Sequence, residues 1–101
     1  MYPTISMREL ESWIAGSRQM YLVDLRSRWS FSRGHLLGAV NIPYEELEDR
    51  AEELPRDMPV VFYCQRGSKS LLACNQLWQL GYQVVNTGGG LIAYRGMYWV
   101  R

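Results

Sequence analysis

The order of apolar and polar segments predicts an α/β fold, in which helices cover a mostly parallel β-sheet. Short apolar strands alternate with helical segments along the whole chain, as parallel sheets require. The clearest strand, residues 59–64, is apolar at consecutive positions, as expected for a strand covered on both faces. The 101-residue chain is 48% hydrophobic and 21% charged, which is typical of a globular protein. This length predicts a single domain over residues 1–101.

The first half of the chain begins with a well-marked helix. Ser6 and Glu9 have the spacing of a capping box, and Gly16 is suited to end the helix that follows. The next predicted elements are a buried strand over 21–25, one helical turn over 29–33, a strand over 39–43 and an amphipathic helix over 44–54.

In the second half, a polar loop over residues 65–70 follows the clearest strand and leads into a helix. Leu71, Leu72 and Trp78 recur with the helical period, and Gly81 is suited to cap the helix end. The remaining predicted elements are a strand over 83–86, a glycine turn over 88–90, the start of a helix over 91–94 and a segment over 98–100 that packs back on the domain.

The charges are distributed unevenly. The net charge is only +1, which gives no basic footprint for nucleic acid. Seven of the ten acids lie in residues 45–57, which we name the acidic segment, whereas the rest of the chain has nine bases and three acids. The imbalance suits a small anionic substrate, although a solvated acidic helix explains it equally well. The helix over 44–54 is also a candidate docking face.

The sequence gives no sign of a membrane, a metal or an export signal. The longest apolar stretch has six residues, whereas a bilayer-spanning helix needs about 20. The first residues lack the basic and apolar regions of a secretory signal, so we expect a cytoplasmic protein. Cys64, Cys74 and His35 are too few for a structural zinc site, which takes four ligands.

Cys64 is the main candidate for a reactive residue. It lies at the carboxyl end of the clearest strand, and ligands of parallel α/β sheets bind beyond that end. The following helix begins close by, and its unpaired N–H groups and dipole favour negative charge. The sequence therefore predicts a nucleophilic thiolate at Cys64.

The polar loop supplies groups that suit an anion. Arg66 and Lys69 add positive charge, Gly67 allows the backbone to turn inward, and Ser68 and Ser70 are expected to supply hydroxyl donors. The candidate substrate-binding residues are Gln65, Arg66, Gly67, Ser68, Lys69 and Ser70.

Four segments, in order, resemble one known family. Residues 64–70, Cys-Gln-Arg-Gly-Ser-Lys-Ser, resemble the active-site loop of rhodanese domains, Cys-x-x-Gly-x-Arg/Lys-Ser. Residues 23–26, Val-Asp-Leu-Arg, are similar to the family's Val-Asp-x-Arg strand end. Residues 31–43 resemble its Phe-x-x-Gly-His-Ile-x-Gly-Ala-x-Asn-Ile-Pro signature, and residues 81–82 and 88–90 match its late glycine positions.

The resemblance implies a rhodanese-like three-layer sandwich, with a five-stranded, mostly parallel sheet flanked by helices on both faces. It also implies a sulfurtransferase that needs no cofactor. The Cys64 thiolate takes the outer sulfur of a small anionic donor, such as thiosulfate, or of a persulfide donor. The resulting persulfide passes its sulfur to cyanide or to a thiol acceptor: glutathione, thioredoxin or a protein thiol. Arg66 and Lys69 are expected to hold the anionic group of the donor.

Other residues have a structural and a functional interpretation. We expect Asp24 and Arg26 to form an ion pair or loop brace near the site. His35 is expected to be a structural hydrogen-bonding residue, with a general base as the alternative. Cys74 is expected to lie in the core, with a resolving thiol as the alternative. Trp29 is expected in the core or at the rim, with a position lining the site as the alternative.

The chain departs from the family pattern at three positions. Ser30 stands where the family often has Glu, so Arg26 needs another partner if that acid normally holds it. Tyr94 stands where Trp is frequent, and Lys69 replaces the more frequent Arg. An ammonium binds an anion less directionally than a guanidinium does, so the last change affects the preference among donors.

Two other functions compete with sulfur transfer. Cysteine phosphatases and arsenate reductases use a Cys-x5-Arg loop that is one residue longer, whereas the basic residue here is Lys69, the fifth after Cys64. A non-catalytic rhodanese-like binding or regulatory module is the other alternative. Such modules often lack the cysteine, which is present in this chain.

Overall fold

The computed structural model describes the backbone of residues 1–101 and every side chain except that of Ala93. The strands are β1 (Thr4–Ile5), β2 (Tyr21–Asp24), β3 (His35–Leu36), β4 (Val40–Asn41), β5 (Val60–Tyr63), β6 (Val84–Thr87) and β7 (Trp99–Val100). The α-helices are α1 (Met7–Ala15), α2 (Arg28–Arg33), α3 (Leu47–Arg50) and α4 (Ser68–Gln79), and 3₁₀ turns lie at Tyr44–Glu46, Ala51–Glu53 and Leu91–Ala93.

The main sheet has five parallel strands in the order β1-β6-β5-β2-β4. β5 is the central strand, where Val61 lies opposite Leu22 of β2 and Val85 of β6. The carboxyl ends of all five strands therefore meet at one edge, directly before the loop that begins with Cys64. The five-stranded parallel sheet expected from the sequence is confirmed.

Two hydrophobic clusters cover the two faces of the sheet. Val60 and Phe62 of β5 pack with apolar side chains of α3 and α4. Val61 and Tyr63 alternate with them and pack with apolar side chains of α1 on the opposite face. All four side chains are completely buried, which is why this strand is apolar at consecutive positions. The protein is thus a three-layer α/β sandwich.

Helix α1 follows the sequence prediction closely. The Ser6 hydroxyl accepts a hydrogen bond from the Glu9 N–H at 3.0 Å, the Glu9 carboxylate accepts one from the Ser6 N–H, and the helix ends before Gly16. Among the described residues, no helix is both long and apolar enough to cross a bilayer.

The region over residues 44–54 differs from the predicted single helix. Two 3₁₀ turns flank α3, which has only four residues, although Leu47 and Leu54 are buried as expected. Acidic side chains recur there at spacings of three and four residues, and such like-charge neighbours disfavour a regular helix.

The buried face of α4 also differs from the face that the spacing of its apolar residues predicted. Its buried residues are Ser70, Ala73, Cys74 and Leu77, a regular helical stripe. Leu71, Leu72 and Trp78 are exposed instead.

The short strands β1, β3 and β7 were not expected from the sequence. β1 joins the edge of the main sheet, and β3 pairs with β7 in an antiparallel ribbon, with Leu36 opposite Trp99. This pairing explains how the segment over residues 98–100 packs back on the domain. Each of the three strands has only two residues, which is too short for a recognisable period-two pattern.

Candidate active site

The Cys64 sulfur lies at the N-terminus of α4. The side chain follows β5 directly and is 2% exposed. Its Sγ accepts hydrogen bonds from the backbone N–H groups of Gly67, at 3.1 Å, and Ser70, at 3.3 Å. The first N–H groups of a helix have no partner within the helix, so they are free to bind the sulfur. Both donors and the helix dipole favour negative charge there.

The loop turns at Gly67, which has a left-handed φ of +93°. This conformation directs its N–H towards Sγ and allows α4 to begin at Ser68. The loop also packs tightly at this point, since a Cβ atom on Gly67 would lie 3.2 Å from the Gly89 nitrogen. Glycine is therefore required by both conformation and contact.

The glycine turn over residues 88–90 forms a wall behind the loop. A Cβ atom on Gly90 would lie 2.4 Å from the Gln65 carbonyl oxygen. The next two N–H groups bind the loop directly, with Leu91 donating to the Cys64 carbonyl at 2.9 Å and Ile92 to the Gln65 carbonyl at 3.1 Å. The sequence indicated the turn but not this supporting role.

A pocket of about 460 Å³ opens above the loop. Its lining residues are Arg26, Ser27, Ser30, Cys64, Gln65, Arg66, Ser68 and Lys69. The structure thus brings Gln65, Arg66, Ser68 and Lys69 to one cavity with Cys64, as the sequence suggested. Ser27 and Ser30 were missed, because they belong to the start of α2, where Ser27 caps the helix by accepting from the Ser30 N–H at 3.1 Å.

Ser70 faces away from the pocket, so the expectation of a hydroxyl donor there is wrong. Its hydroxyl lies 2.9 Å from the Phe62 carbonyl and 2.6 Å from Oδ1 of Asn86, both beneath the loop. The side chain is on the buried stripe of α4, which turns towards the sheet. Ser70 therefore contributes its backbone N–H to the site and its hydroxyl to the core.

The three cations of the pocket have different partners. The Lys69 ammonium lies 3.2 Å from Oε2 of Glu45, in the 3₁₀ turn before α3. A backbone N–H and the Lys69 ammonium hold the pKa of Glu45 below its usual value. Arg66 is exposed and has no carboxylate partner among the described side chains. It is the pocket cation whose charge is most available to an anionic ligand.

The third cation, Arg26, forms the expected ion pair with Asp24. Its Nη2 lies 2.8 Å from Oδ2 of the buried Asp24 and 2.6 Å from the Gly34 carbonyl. The Tyr63 hydroxyl donates to the same carboxylate at 2.6 Å, and it accepts from the Leu36 N–H at 3.1 Å. Burial and the Asp24 charge raise the pKa of Tyr63 far above its usual value. Arg26 is thus held without an acid at position 30.

The remaining candidates lie outside the pocket lining. His35 places Nδ1 2.9 Å from the Phe31 carbonyl and stacks on the Phe31 ring at 3.7 Å between centroids, which fits the structural interpretation. Cys74 lies in the cluster under α4, and burial raises the pKa of its thiol to about 12. Trp29 is 69% exposed beside Arg33, so it lies outside the core and outside the pocket lining. The described residues contain no cluster of three metal-ligating side chains.

Comparisons with known proteins agree with this geometry. The family described as "Rhodanese-like domain" matches residues 6–96. A sulfurtransferase from Allochromatium vinosum is 35% identical, over 93% of this chain and 89% of the relative. The human thiosulfate:glutathione sulfurtransferase is 36% identical, over 92% and 90% respectively.

A solved structure shows the same fold. A rhodanese-like domain protein from Staphylococcus aureus superposes with a TM-score of 0.88 at 22% identity, over 97% of this chain and 96% of that one. The named relatives support a sulfurtransferase role for the chain. The resemblance found in the sequence is confirmed, and the chain belongs to the rhodanese-like domain family.

Proposed function

We propose that residues 1–101 form one rhodanese-like domain that transfers sulfane sulfur through a persulfide on Cys64. One observation carries the proposal: the Cys64 Sγ accepts two backbone hydrogen bonds at a helix N-terminus, beside a pocket lined with cations. Thiosulfate or a persulfide is the donor, and a thiol or cyanide is the acceptor. A thiolate is the form of cysteine that attacks a sulfane sulfur.

In the first step, the Cys64 thiolate attacks the outer sulfur of thiosulfate. A new S–S bond forms, the S–S bond of the donor breaks, and sulfite leaves with the bonding electron pair. The anionic persulfide carries the one negative charge that the thiolate brought. Exposed Arg66, together with Lys69, attracts the sulfonate end of the donor before the attack.

The loop backbone is suited to hold the persulfide. The N–H groups of Gln65, Arg66, Ser68 and Lys69 have no acceptor among the described residues. They are available to the outer sulfur, while Gly67 and Ser70 continue to bind Sγ. Fixed donors of this kind stabilise charge without having to reorganise, as in an oxyanion hole.

In the second step, the acceptor thiolate attacks the outer sulfur of the persulfide. The bond between that sulfur and Cys64 breaks, and its electron pair returns to Sγ of Cys64, which the Gly67 and Ser70 N–H groups still bind. Glutathione, thioredoxin or a protein thiol serves as acceptor, and the name of the human relative favours glutathione among them. Cyanide accepts the sulfur in the same way and yields thiocyanate.

Asp24, Arg26 and His35 support the site without reacting. The Asp24–Arg26 pair fixes the strand end, and Arg26 lines the pocket. His35 holds the start of β3 through the Phe31 carbonyl and ring.

Intact mass spectrometry tests the proposal. Wild-type protein incubated with thiosulfate should gain the mass of one sulfur atom and lose it again on addition of cyanide. Cys64→Ser should gain nothing, since a hydroxyl does not form a persulfide, and circular dichroism should confirm that it is folded. If neither thiosulfate nor glutathione persulfide gave the adduct, sulfur transfer would be rejected. A non-catalytic binding or regulatory module would then be the remaining function.

A further inference from the structure

The ion pair between Lys69 and Glu45 joins the acidic segment to the pocket. Lys69 lines the pocket, whereas Glu45 lies outside it, and their side chains approach to 3.2 Å. Both are largely exposed, with 49% and 69% of the side chain accessible. The contact therefore forms and breaks readily, and a donor entering the pocket competes with Glu45 for the same ammonium.

The neighbouring acids do not reach the loop. The carboxylate of Glu46 is held by Arg28 and Arg50, and that of Glu53 is held by Arg50. Glu48 is exposed and forms no ion pair among the described side chains. Glu45 is thus the acid of this segment that pairs with a residue of the pocket.

The charges around the pocket are largely balanced. Asp24 offsets Arg26, Glu45 offsets Lys69, and Arg66 alone among the three lining cations has no described carboxylate partner. The Coulomb interaction of a donor with its surroundings grows in proportion to the donor's charge. Neutralising Lys69 therefore weakens binding of a dianion about twice as much, in free energy, as binding of a monoanion.

We propose that Glu45 is a specificity-determining residue that reduces the pocket's preference for dianionic sulfane donors over monoanionic ones. This inference rests on the proposed sulfur transfer. Glu45 does not touch the reacting sulfur; it acts through the Lys69 ammonium, which it holds away from the donor. The wild-type pocket therefore discriminates less against singly charged donors, such as organic thiosulfonates and persulfides, than it would if the Lys69 ammonium were unpaired.

Two synthetic donors of different charge provide the test. Thiosulfate carries two negative charges, and methanethiosulfonate carries one and releases methanesulfinate in place of sulfite. With cyanide as acceptor, kcat/KM for each donor reports only the first half-reaction of a two-step transfer. The measurement compares wild type, Glu45→Gln and the matched control Glu48→Gln, each at low ionic strength and in 1 M salt.

Glu45→Gln should raise kcat/KM for thiosulfate by about two- to fivefold at low ionic strength, the range expected for one exposed ion pair. The rise for methanethiosulfonate should be at most about twofold. Both effects should vanish in 1 M salt, where the screening length is about 3 Å. Glu48→Gln should behave as wild type does.

A second variant, Lys69→Met, tests whether Glu45 acts through Lys69. In Lys69→Met protein, the Glu45→Gln change should have no effect, because the ammonium that Glu45 holds is gone. An equal rise for both donors, an equal rise in the Lys69→Met background, or no rise at all would overturn the inference. If wild type forms no adduct with either donor, the proposed function fails and the inference falls with it.

Discussion

The two cysteines show how differently one fold treats the same side chain. Cys64 and Cys74 are both buried, both are free thiols, and both border the hydrophobic cluster between the sheet and α4. Sγ of Cys64 accepts two backbone N–H bonds, whereas the Cys74 thiol has no hydrogen-bond partner among the described residues. Burial raises the pKa of Cys74 to about 12. Two equally buried thiols therefore differ in their hydrogen-bond donors, and we expect Cys64 to be the more reactive of the two.

Helix α4 explains both environments. Cys64 precedes the helix, where the first N–H groups have no partner within it. Cys74 lies in the middle of the same helix, where N–H groups bind carbonyls one turn earlier. An apolar neighbourhood without donors then penalises the Cys74 thiolate. The same helix thus gives the Cys64 sulfur two N–H donors and leaves the Cys74 thiol buried without any among the described residues.

The largest expected contrast is in alkylation by iodoacetamide at pH 8. With a pKa of about 12, only about one Cys74 thiol in ten thousand is ionised at that pH. Native wild-type protein should take up one equivalent, and Cys64→Ser should take up essentially none over the same time. Cys74→Ser should be alkylated as wild type is and should still accept sulfur from thiosulfate.

The control for this contrast is the unfolded chain. Cys64→Ser in concentrated guanidinium should take up one equivalent, which shows that the fold protects Cys74. Rapid modification of Cys74 in native Cys64→Ser would mean that its environment resembles that of Cys64. It would also revive the interpretation of Cys74 as a resolving thiol.

The surroundings of Cys64 could be predicted from the sequence because they are local. The nucleophile, the turn at Gly67 and the helix start lie within residues 64–70, so their spacing alone brings them together. The helical stripe containing Ser70 and Leu77 was also present in the sequence, but the leucines at 71 and 72 obscured it. Helical phase rather than apolarity decides which way Ser70 points.

The parts that could not be predicted depend on distant segments. Gly90 contacts Gln65 across a sequence separation of 25 residues, and Lys69 pairs with Glu45 across a separation of 24 residues. The contact at Gly90 follows from the strand order β1-β6-β5-β2-β4, which puts β6 and the turn after it beside β5. No local pattern encodes that order, so the residues that support the loop emerge only from the folded chain.

The next largest effect is expected from Gly90→Ala. The new Cβ would lie 2.4 Å from the Gln65 carbonyl, at a φ of +62° that disfavours alanine. We expect a loss of about 3 kcal/mol of stability together with reduced sulfur loading of Cys64. Gly38→Ala is the matched control, since Gly38 has a φ of +85° but open space around its Cβ position. It should lose about 1 kcal/mol and load normally.

Urea unfolding and intact mass after thiosulfate treatment measure both changes. Equal losses in the two alanine variants would show that backbone conformation alone matters at Gly90. The close contact between Gly90 and Gln65 would then add no further stability. Normal loading in Gly90→Ala would show that the Cys64 loop keeps its form without support from the glycine turn.

The smallest effect is expected at the end of β5, the strand that positions Cys64. Cys74 lies within α4 and is not held by a strand end. Tyr63→Phe removes a hydroxyl that donates to the buried Asp24 carboxylate and accepts from the Leu36 N–H. Because one partner is charged and both are buried, we expect a loss of about 2 kcal/mol in urea unfolding. Tyr82→Phe, which removes a bond to the Ala51 carbonyl, should lose about 1 kcal/mol. Equal losses would show that the Asp24 brace gives the Cys64 strand no more support than an ordinary hydrogen bond does.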